Sequence, residues 1–557
     1  MSDQPMPEGT PSDAAPGGRV LVIGAGPVGQ TAALCLARWG IPVLVLDARP
    51  ARDPVGSKAL CQQRDVLDVW DACGAGAVAR EGLVWQDART FYRDKELFFY
   101  RIPDPGRSSL PPFVNISQAR TEEILDEAIA GNPLIEVRWG HEVVAITGGT
   151  GGTGGTGGTG GQGGDEPARV RCRTADGETE IEGEYAVVAA GSRGGALREA
   201  LGVAFPGRTF EDSFLICDIE AKLKGWENER RFYFDPEWNP GRQVLIHPCP
   251  GGIFRIDWQV DTDFDLAKER KKGTLDKRIR KVIGRKRKYR IDWASVYRFH
   301  ARMADHFQVG RFFLAGDVAH LVAPFGARGL NSGVPDAENA AWKIAFALKG
   351  WAGPGLLGSY EWERQAAARE NLAVTSATMD FLVPQTKAAA KHRVRVLSRA
   401  RKDPGNAALV DSGRLAEAFW YVDSPLTTAD PHRFWPGRPP RGASPTPVPG
   451  VILPDADTPG AAHGATRVRG LCRDGLLVLV GEAVDVHEVE GVLSDVVPRG
   501  MPLRVLRFGE LGDGGVVAHA LDARADELWL VRPDAHTAAC AHTPEALAVA
   551  VRRVLGH

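Results

Sequence analysis

The chain carries almost no net charge: 68 lysines and arginines stand against 70 aspartates and glutamates, a balance of -2 with histidine neutral. With no basic field to gather phosphates, nucleic acid is not an expected partner. The basic run KVIGRKRKYR at 281–290 is short and reads as a solvated helix face. Long apolar runs are missing too. No stretch of about twenty apolar residues is available to span a bilayer, and the first eighteen residues, MSDQPMPEGTPSDAAPGG, lack the apolar core of a signal peptide. The membrane is therefore not an expected partner, and a cytoplasmic location follows. Cysteine is sparse and dispersed, with eight residues at 35, 61, 73, 172, 217, 249, 472 and 540 and no C-x-x-C pair. That spacing suggests no metal site and reads as isolated thiols in a reducing compartment.

What is present is an ordinary globular composition, 43% hydrophobic and 25% charged over 557 residues, enough for two or three domains. After a flexible leader (1–18), a short apolar strand, a helix from Pro27 and a second apolar strand over 43–46 make a βαβ beginning. A Gly/Thr repeat, GGTGGTGGTGGTGGQGG, occupies 148–164. Such a tract buries too little apolar surface to offset its ordering entropy, so a mobile hairpin tip is expected. Between 205 and 300 the pattern changes to alternating strands, among them QVLIHP and IFRIDWQV, which suggests a separate sheet. Helices are expected from Ser332 to about Ala400, a Pro-rich linker within 401–460, and an α/β appendage over 461–557.

Gly24, Gly26 and Gly29 form G-x-G-x-x-G directly after the first strand, with Pro27 and Val28 opening the helix. In that context the glycines permit a tight turn, backbone approach to a pyrophosphate, and helix–strand packing. Free N–H groups at the helix start favour the phosphates. Asp47, followed by Ala48 and Arg49, ends the second strand about twenty residues on, where a carboxylate meets a ribose hydroxyl. Far downstream, GRFFLAGDVAHLVAPFGARGLNSG presents a strand delivering Gly316 and Asp317, then a glycine-rich turn leading into a helix. An acidic group after a strand suits ribityl hydroxyls, and helix-start N–H groups suit charge on the N1/O2 edge of a flavin.

GDVAHLVAPFGARGLNSGVPDAENAAWKIA, with DWASVYRFHARMADHF before it, resembles the second FAD motif of the class A flavoprotein aromatic hydroxylases, in their phenol and 3-(3-hydroxyphenyl)propionate hydroxylase branch. GSKALCQQRDVLDVWDACG, FDPEWNPGRQVLIHPCPGGIFRIDWQV and LVRPDAHTAAC are similar to the same branch. The resemblance implies an α/β fold: a Rossmann-like FAD-binding domain (19–204 and 301–400), an inserted mixed β-sheet substrate domain (205–300) and a C-terminal thioredoxin-like domain without C-x-x-C. It also implies that Asp47 binds the adenosine ribose, that Arg49 and Lys58 lie near the pyrophosphate, and that Gln118 contacts the cofactor from the helix side. Asp317 and the backbone through Pro324, Gly326, Gly329, Leu330 and Asn331 would hold the ribityl chain and isoalloxazine. One departure stands out: AVVAAGSRGGALR has Gly191 and Ser192 where the family carries Asp-Gly, which bears on the reduction step and on NADH against NADPH.

The implied function is hydroxylation of a phenolic or related aromatic compound through a flavin C4a-hydroperoxide, with FAD as cofactor and NAD(P)H and O₂ as co-substrates. Group transfer by the cofactor leaves the protein to position the ring, exclude water and deprotonate the substrate. His247, Tyr233, Tyr297 and Arg255 are the candidate catalytic groups, with Trp258, Trp85 and Phe325 as apolar walls. Alternation places Arg255, Asp257 and Gln259 on one face of a strand and Phe254, Ile256 and Trp258 on the other. His320 reads as loop support. The C-terminal unit reads as a packing or homodimerisation module. Competing expectations are another oxygenation outcome (dehalogenation, denitration or epoxidation), a simple oxidase or reductase, and a flavin-binding protein without turnover.

Overall fold

The computed structural model describes residues 18–53, 59–104, 106–150, 166–439, 445–458 and 464–557. The leader through residue 17, Lys58 and residues 151–164 of the Gly/Thr tract lie outside the described residues. The apolar strings VLVI (Val20–Ile23) and VLVLD (Val43–Asp47) are buried at every position, as parallel strands covered on both faces must be. They pair in parallel with each other, and Val20–Ile23 pairs on its other side with Tyr185–Val188. Phe312–Leu314 adds beyond Tyr185–Val188 and Ile135–Trp139 beyond Val43–Asp47, both in parallel, while Gln308–Val309 closes one edge antiparallel. Helices Pro27–Arg38 and Arg328–Leu348 pack on each other beside this six-stranded sheet. Its fifth parallel strand thus comes from residues that follow the whole alternating region.

That alternating region forms an eight-stranded mixed sheet. From one edge the order is His320–Leu321, Tyr289–Met303, Gly207–Ala221, Ile253–Val260, Gln243–Pro248, Glu229–Phe234, Asp87–Tyr92 and Lys95–Arg101. The sheet therefore extends beyond the expected 205–300. Asp87–Tyr92 pairs in parallel with Glu229–Phe234, a long-range choice that local alternation does not encode. Helices Leu266–Lys272 and Thr274–Ile283 belong to the same region, and Leu275, Ile279 and Ile283 bury the apolar stripe of the second against one sheet face.

The C-terminal unit has strands in the order Leu503–Arg507, Leu476–Val480, Leu528–Val531, Thr537–Ala541, the first pair parallel and the rest antiparallel. A β-α-β unit followed by a hairpin and the helix Pro544–Val554 is the thioredoxin-like connection expected. The described residues of the expected 401–460 linker include several that are packed into the fold. Tyr421, Leu426, Val448, Val451 and Leu453 are buried, and Ala416 N–H donates to Gly326 O at 2.7 Å. Apolar residues spaced among the prolines anchor it as a strap. The thiols are not all isolated either: Cys35 and Cys73, far apart in sequence, bring their Sγ atoms to 3.6 Å. Among the described residues no helix is long and apolar enough to cross a membrane.

Candidate active site

The first strand ends in Gly24, whose φ of +109° is open to glycine at little cost. Helix Pro27–Arg38 then starts with proline in its first turn, where no backbone donor is lost. A Cβ at Gly29 would sit 1.8 Å from Gly24 O, so that glycine seats the helix on the turn, away from the cavity. A Cβ at Gly26 would meet nothing within 4 Å, because the residue faces open space. Asp47 Oδ2 accepts from Ala25 N–H at 2.7 Å, and Oδ1 accepts from Arg49 N–H and Nε–H, each at 2.9 Å. Burial opposes ionisation of Asp47, yet the bonds from Arg49 and Ala25 prevail and hold its carboxyl below the usual range. Gln118 Oε1 accepts from Ala59 N–H at 3.0 Å.

The second turn is built by strand Phe312–Leu314, after which Gly316 takes φ +71°. Gly316 N–H donates to Asp336 Oδ2 at 2.9 Å, and the same oxygen accepts from His320 Nε2 at 2.8 Å. Arg364 Nε donates to Asp336 Oδ1 at 2.6 Å. His320 is thus committed to holding the turn. Gly326 (φ +91°) and Ala327 (φ +57°) bend the chain into helix Arg328–Leu348, whose first residues border the same space as Gly26. Asn331 does not line that space. Its Oδ1 accepts from Gln63 N–H at 2.9 Å and its Nδ2 donates to Cys61 O at 2.8 Å, so it pins the 61–63 strand.

One cavity of about 810 Å³ connects these turns. Gly24, Gly26, Pro27, Val28, Asp47, Ala48, Arg49 and Gln118 line one end; Gly316, Asp317, Pro324, Gly326, Gly329 and Leu330 line its middle. Gly191, Ser192 and Arg193, the departure from the family's Asp-Gly, line it as well. Its far end lies against the eight-stranded sheet. Phe214, Phe299 and Phe325 make an aromatic corner there, with Phe214 stacked on Phe299 at 4.4 Å between ring centres and Phe325 edge-on to both.

The polar groups of that end come from rows across the sheet. Asp218, Arg255 and His247 stand in register on three neighbouring strands. Arg230, one residue before the partner of Ile246, faces the cavity beside them. Arg255 donates to both oxygens of Asp218 at 2.8 Å. The next row is Ile216, Asp257, Leu245, so Asp257 has an aliphatic neighbour on each side. Burial in that row raises its carboxyl to about 7, against the pull of Arg255. Burial, with Arg230 and Arg255 nearby, drives the His247 imidazole well below its ordinary value, so it is neutral.

His247 and Arg255 therefore lie at the cavity, and Tyr233 and Tyr297 do not. Tyr233 points to the opposite sheet face, where it stacks on Phe91 at 4.5 Å, because it alternates with the inward Phe232 and Phe234. Tyr297 shares a sheet face with Phe214 but sits beside Trp293, beyond the cavity lining. Of the expected walls, Phe325 lines the cavity, Trp258 is buried on the far face, and Trp85 stands behind His247. Asp257 and Arg230 are polar groups at this end that sequence reasoning left out of the candidates; for Asp257 the alternation that put it on the face of Arg255 was the signal. Elsewhere Asp430, Cys540 and His542 bring ligand-type atoms within 4.8 Å of one another. Arg433 Nε lies 3.4 Å from Asp430 there, a cation where a metal would need vacant carboxylate.

Residues 18–375 match the family model described as an FAD binding domain. The chain belongs to that family. FAD is its cofactor, and the cavity fits it: glycines without Cβ line the path from Gly26 to Gly329, and helix starts face the space from both sides. Among curated relatives, a 3-(3-hydroxy-phenyl)propionate/3-hydroxycinnamic acid hydroxylase of Comamonas testosteroni is 29% identical over 386 residues, covering 68% of this chain and 61% of that protein. One from Burkholderia vietnamiensis (strain G4 / LMG 22486) is 27% identical over 388 residues, 69% of this chain and 67% of its own. Among solved structures, the flavin-dependent monooxygenase PieE, in complex with FAD and substrate, aligns with a TM-score of 0.78 at 22% identity, over 97% of this chain and 99% of that one. Aklavinone-11 hydroxylase with FAD and aklavinone aligns with a TM-score of 0.75 at 23% identity, over the same shares. At those identities the likeness speaks for the fold.

Proposed function

We propose that this chain is an FAD-dependent monooxygenase that uses NAD(P)H and O₂ to hydroxylate a phenolic or related aromatic compound in the cytoplasm. The observation that carries this reading is the single cavity that joins a dinucleotide cradle to an aromatic corner bearing charged groups. The names of the curated relatives support the same class of substrate. When bound, FAD would supply the redox chemistry, accepting reducing equivalents from NAD(P)H and activating O₂.

The chain's own residues bind, orient and exclude water. Gly24, Gly26 and the start of helix Pro27–Arg38 would hold the pyrophosphate, with Asp47 on the ribose and Arg49 beside it. Asp317 and the backbone from Pro324 to Leu330 would hold the ribityl chain and the flavin ring, the N-terminus of helix Arg328–Leu348 stabilising negative charge on it. Phe214, Phe299 and Phe325 hold an aromatic ring and keep water from it. His247 and Arg255 offer a neutral hydrogen-bonding group and a fixed cation at that ring. Gly191 and Ser192 favour a second reading, a flavin-binding protein without turnover.

The test is anaerobic reduction of the holoenzyme by NADH and by NADPH, with and without a panel of phenols, then exposure to ¹⁸O₂. Hydroxylation predicts phenol-accelerated reduction and one labelled oxygen in the product. FAD that neither nucleotide reduces, with any phenol, selects the carrier. Reduction and reoxidation without label selects an oxidase, and loss of halide or nitrite from the ring selects the other oxygenation outcomes.

A further inference from the structure

We propose that Asp257 takes the proton of the substrate's phenolic hydroxyl, so that a neutral phenol enters and reacts as a phenolate held against Arg255. This rests on the hydroxylase reading above and adds to it the protonation state of the substrate and the group that sets it. Asp257 lines the cavity between Ile216 and Leu245. Its Oδ1 is buried with no hydrogen-bond partner, an arrangement that costs stability unless something in the cavity completes it. A phenolic O–H is such a partner: it donates to the bare oxygen, and the apolar corner of Phe214, Phe299 and Phe325 receives its ring.

The charges around Asp257 fit the transfer. Arg255 stands two residues before it on the same strand, with Asp218 beside Arg255 on one neighbouring strand, His247 on the other and Arg230 on the strand beyond; the Cys217 thiol lies on the opposite sheet face, and Cys249 follows the His247 strand. Asp218 is spent on Arg255, with both oxygens bonded. His247 is neutral, and burial pushes the Cys217 and Cys249 thiols up to about 12, so neither competes as an anion. Asp257 is thus the one carboxylate of this group with an oxygen to spare, and its raised value near 7 places it where a base works at neutral pH. In the transfer the phenolic O–H bond breaks, its electron pair stays on oxygen, and an O–H bond forms on Asp257. The site's net charge is unchanged, and the proton returns to the product oxygen before release.

The experiment compares wild type with Asp257→Asn and Asp257→Glu, as holoenzymes, on a phenol and on its polyfluorinated analogue, which is already ionised at neutral pH. Asp257→Asn is expected to lower kcat on the phenol by about 10²- to 10⁴-fold, with FAD retained and the melting temperature at neutral pH no lower than that of wild type. Its rate should rise with pH as the free phenol ionises. On the fluorinated analogue it should match wild type, and Asp257→Glu should recover part of the rate on the phenol. Equal losses on both substrates would mean a structural role and overturn the proposal, as would no loss on either. If the wild type itself incorporates no oxygen into any phenol, the hydroxylase reading falls first, and that outcome is visible before any variant is made.

Discussion

Two buried aspartates with opposite titrations give this protein a pH dependence that can be signed in advance. Asp336 receives Gly316 N–H, His320 and Arg364; despite burial, those partners, Arg364 foremost, hold it at about 2. A carboxyl held below its unfolded value of about 3.9 stabilises the fold above that pH, and the contribution is lost as pH falls towards 2. Removing it leaves the Arg364 guanidinium buried without its carboxylate, so Asp336→Ala should cost about 3–5 kcal/mol in denaturant unfolding at pH 7. Asp257 works the other way. With its folded value near 7, the native state holds a proton that the unfolded chain has released between about pH 4 and 7, so wild type loses stability as pH rises through that window. Urea unfolding of Asp257→Asn against wild type should show the variant gaining relative stability from pH 4 to pH 7; a flat difference across the window would refute the raised titration.

At the scale of elements, the turn between Val20–Ile23 and Pro27–Arg38 tolerates no side chain at its third glycine. Gly29→Ala puts a Cβ 1.8 Å from Gly24 O, a contact that only a backbone shift relieves. The variant should purify with a flavin-to-protein ratio well below that of wild type, read from its visible absorbance. Such local features were legible in the sequence because spacing alone encodes them: the glycine turn, Asp47 at its strand end, and the Asp317–Leu330 segment all reach the one cavity. The substrate end was legible only in part. Alternation grouped Arg255 with Asp257, but the cross-strand register that sets Asp257 between Ile216 and Leu245 joins residues far apart in sequence. The same limit misplaced Tyr233 and Tyr297, and hid that strand Asp87–Tyr92 joins the later sheet. Asn331 fell within the right motif, yet its side chain turned out to serve the neighbouring strand.

Across the whole molecule, the thioredoxin-like domain is tied to the FAD-binding domain by buried ions. Arg532 donates to both oxygens of Glu363 and to Asp534, Lys343 reaches Glu363 Oε2 at 2.6 Å, and Asn339 bridges Glu363 and Asp534. Lys343 and Asn339 belong to the helix whose first turn faces the cavity, Arg328–Leu348. A second set joins Arg467 and Arg473 to Asp68. Arg532→Ala should therefore lower stability by about 3–5 kcal/mol, because it leaves Lys343 as the cation facing two buried carboxylates, Glu363 and Asp534. It should also speed flavin loss on dilution, a readout that a domain attached only loosely would leave unchanged.

The strand order of the parallel sheet also sets a timetable for synthesis. Tyr185–Val188 is apolar and fully flanked only after Phe312–Leu314 has been made, because most of the chain in between goes to the other sheet. At about 5–20 residues per second, the ribosome leaves that edge uncovered for on the order of ten seconds. A nascent chain stalled or truncated anywhere between those strands exposes a bare hydrophobic ladder edge, ready to pair with another chain. Yield in a foreign host will therefore depend on chaperone supply during that interval more than on the stability of the finished protein.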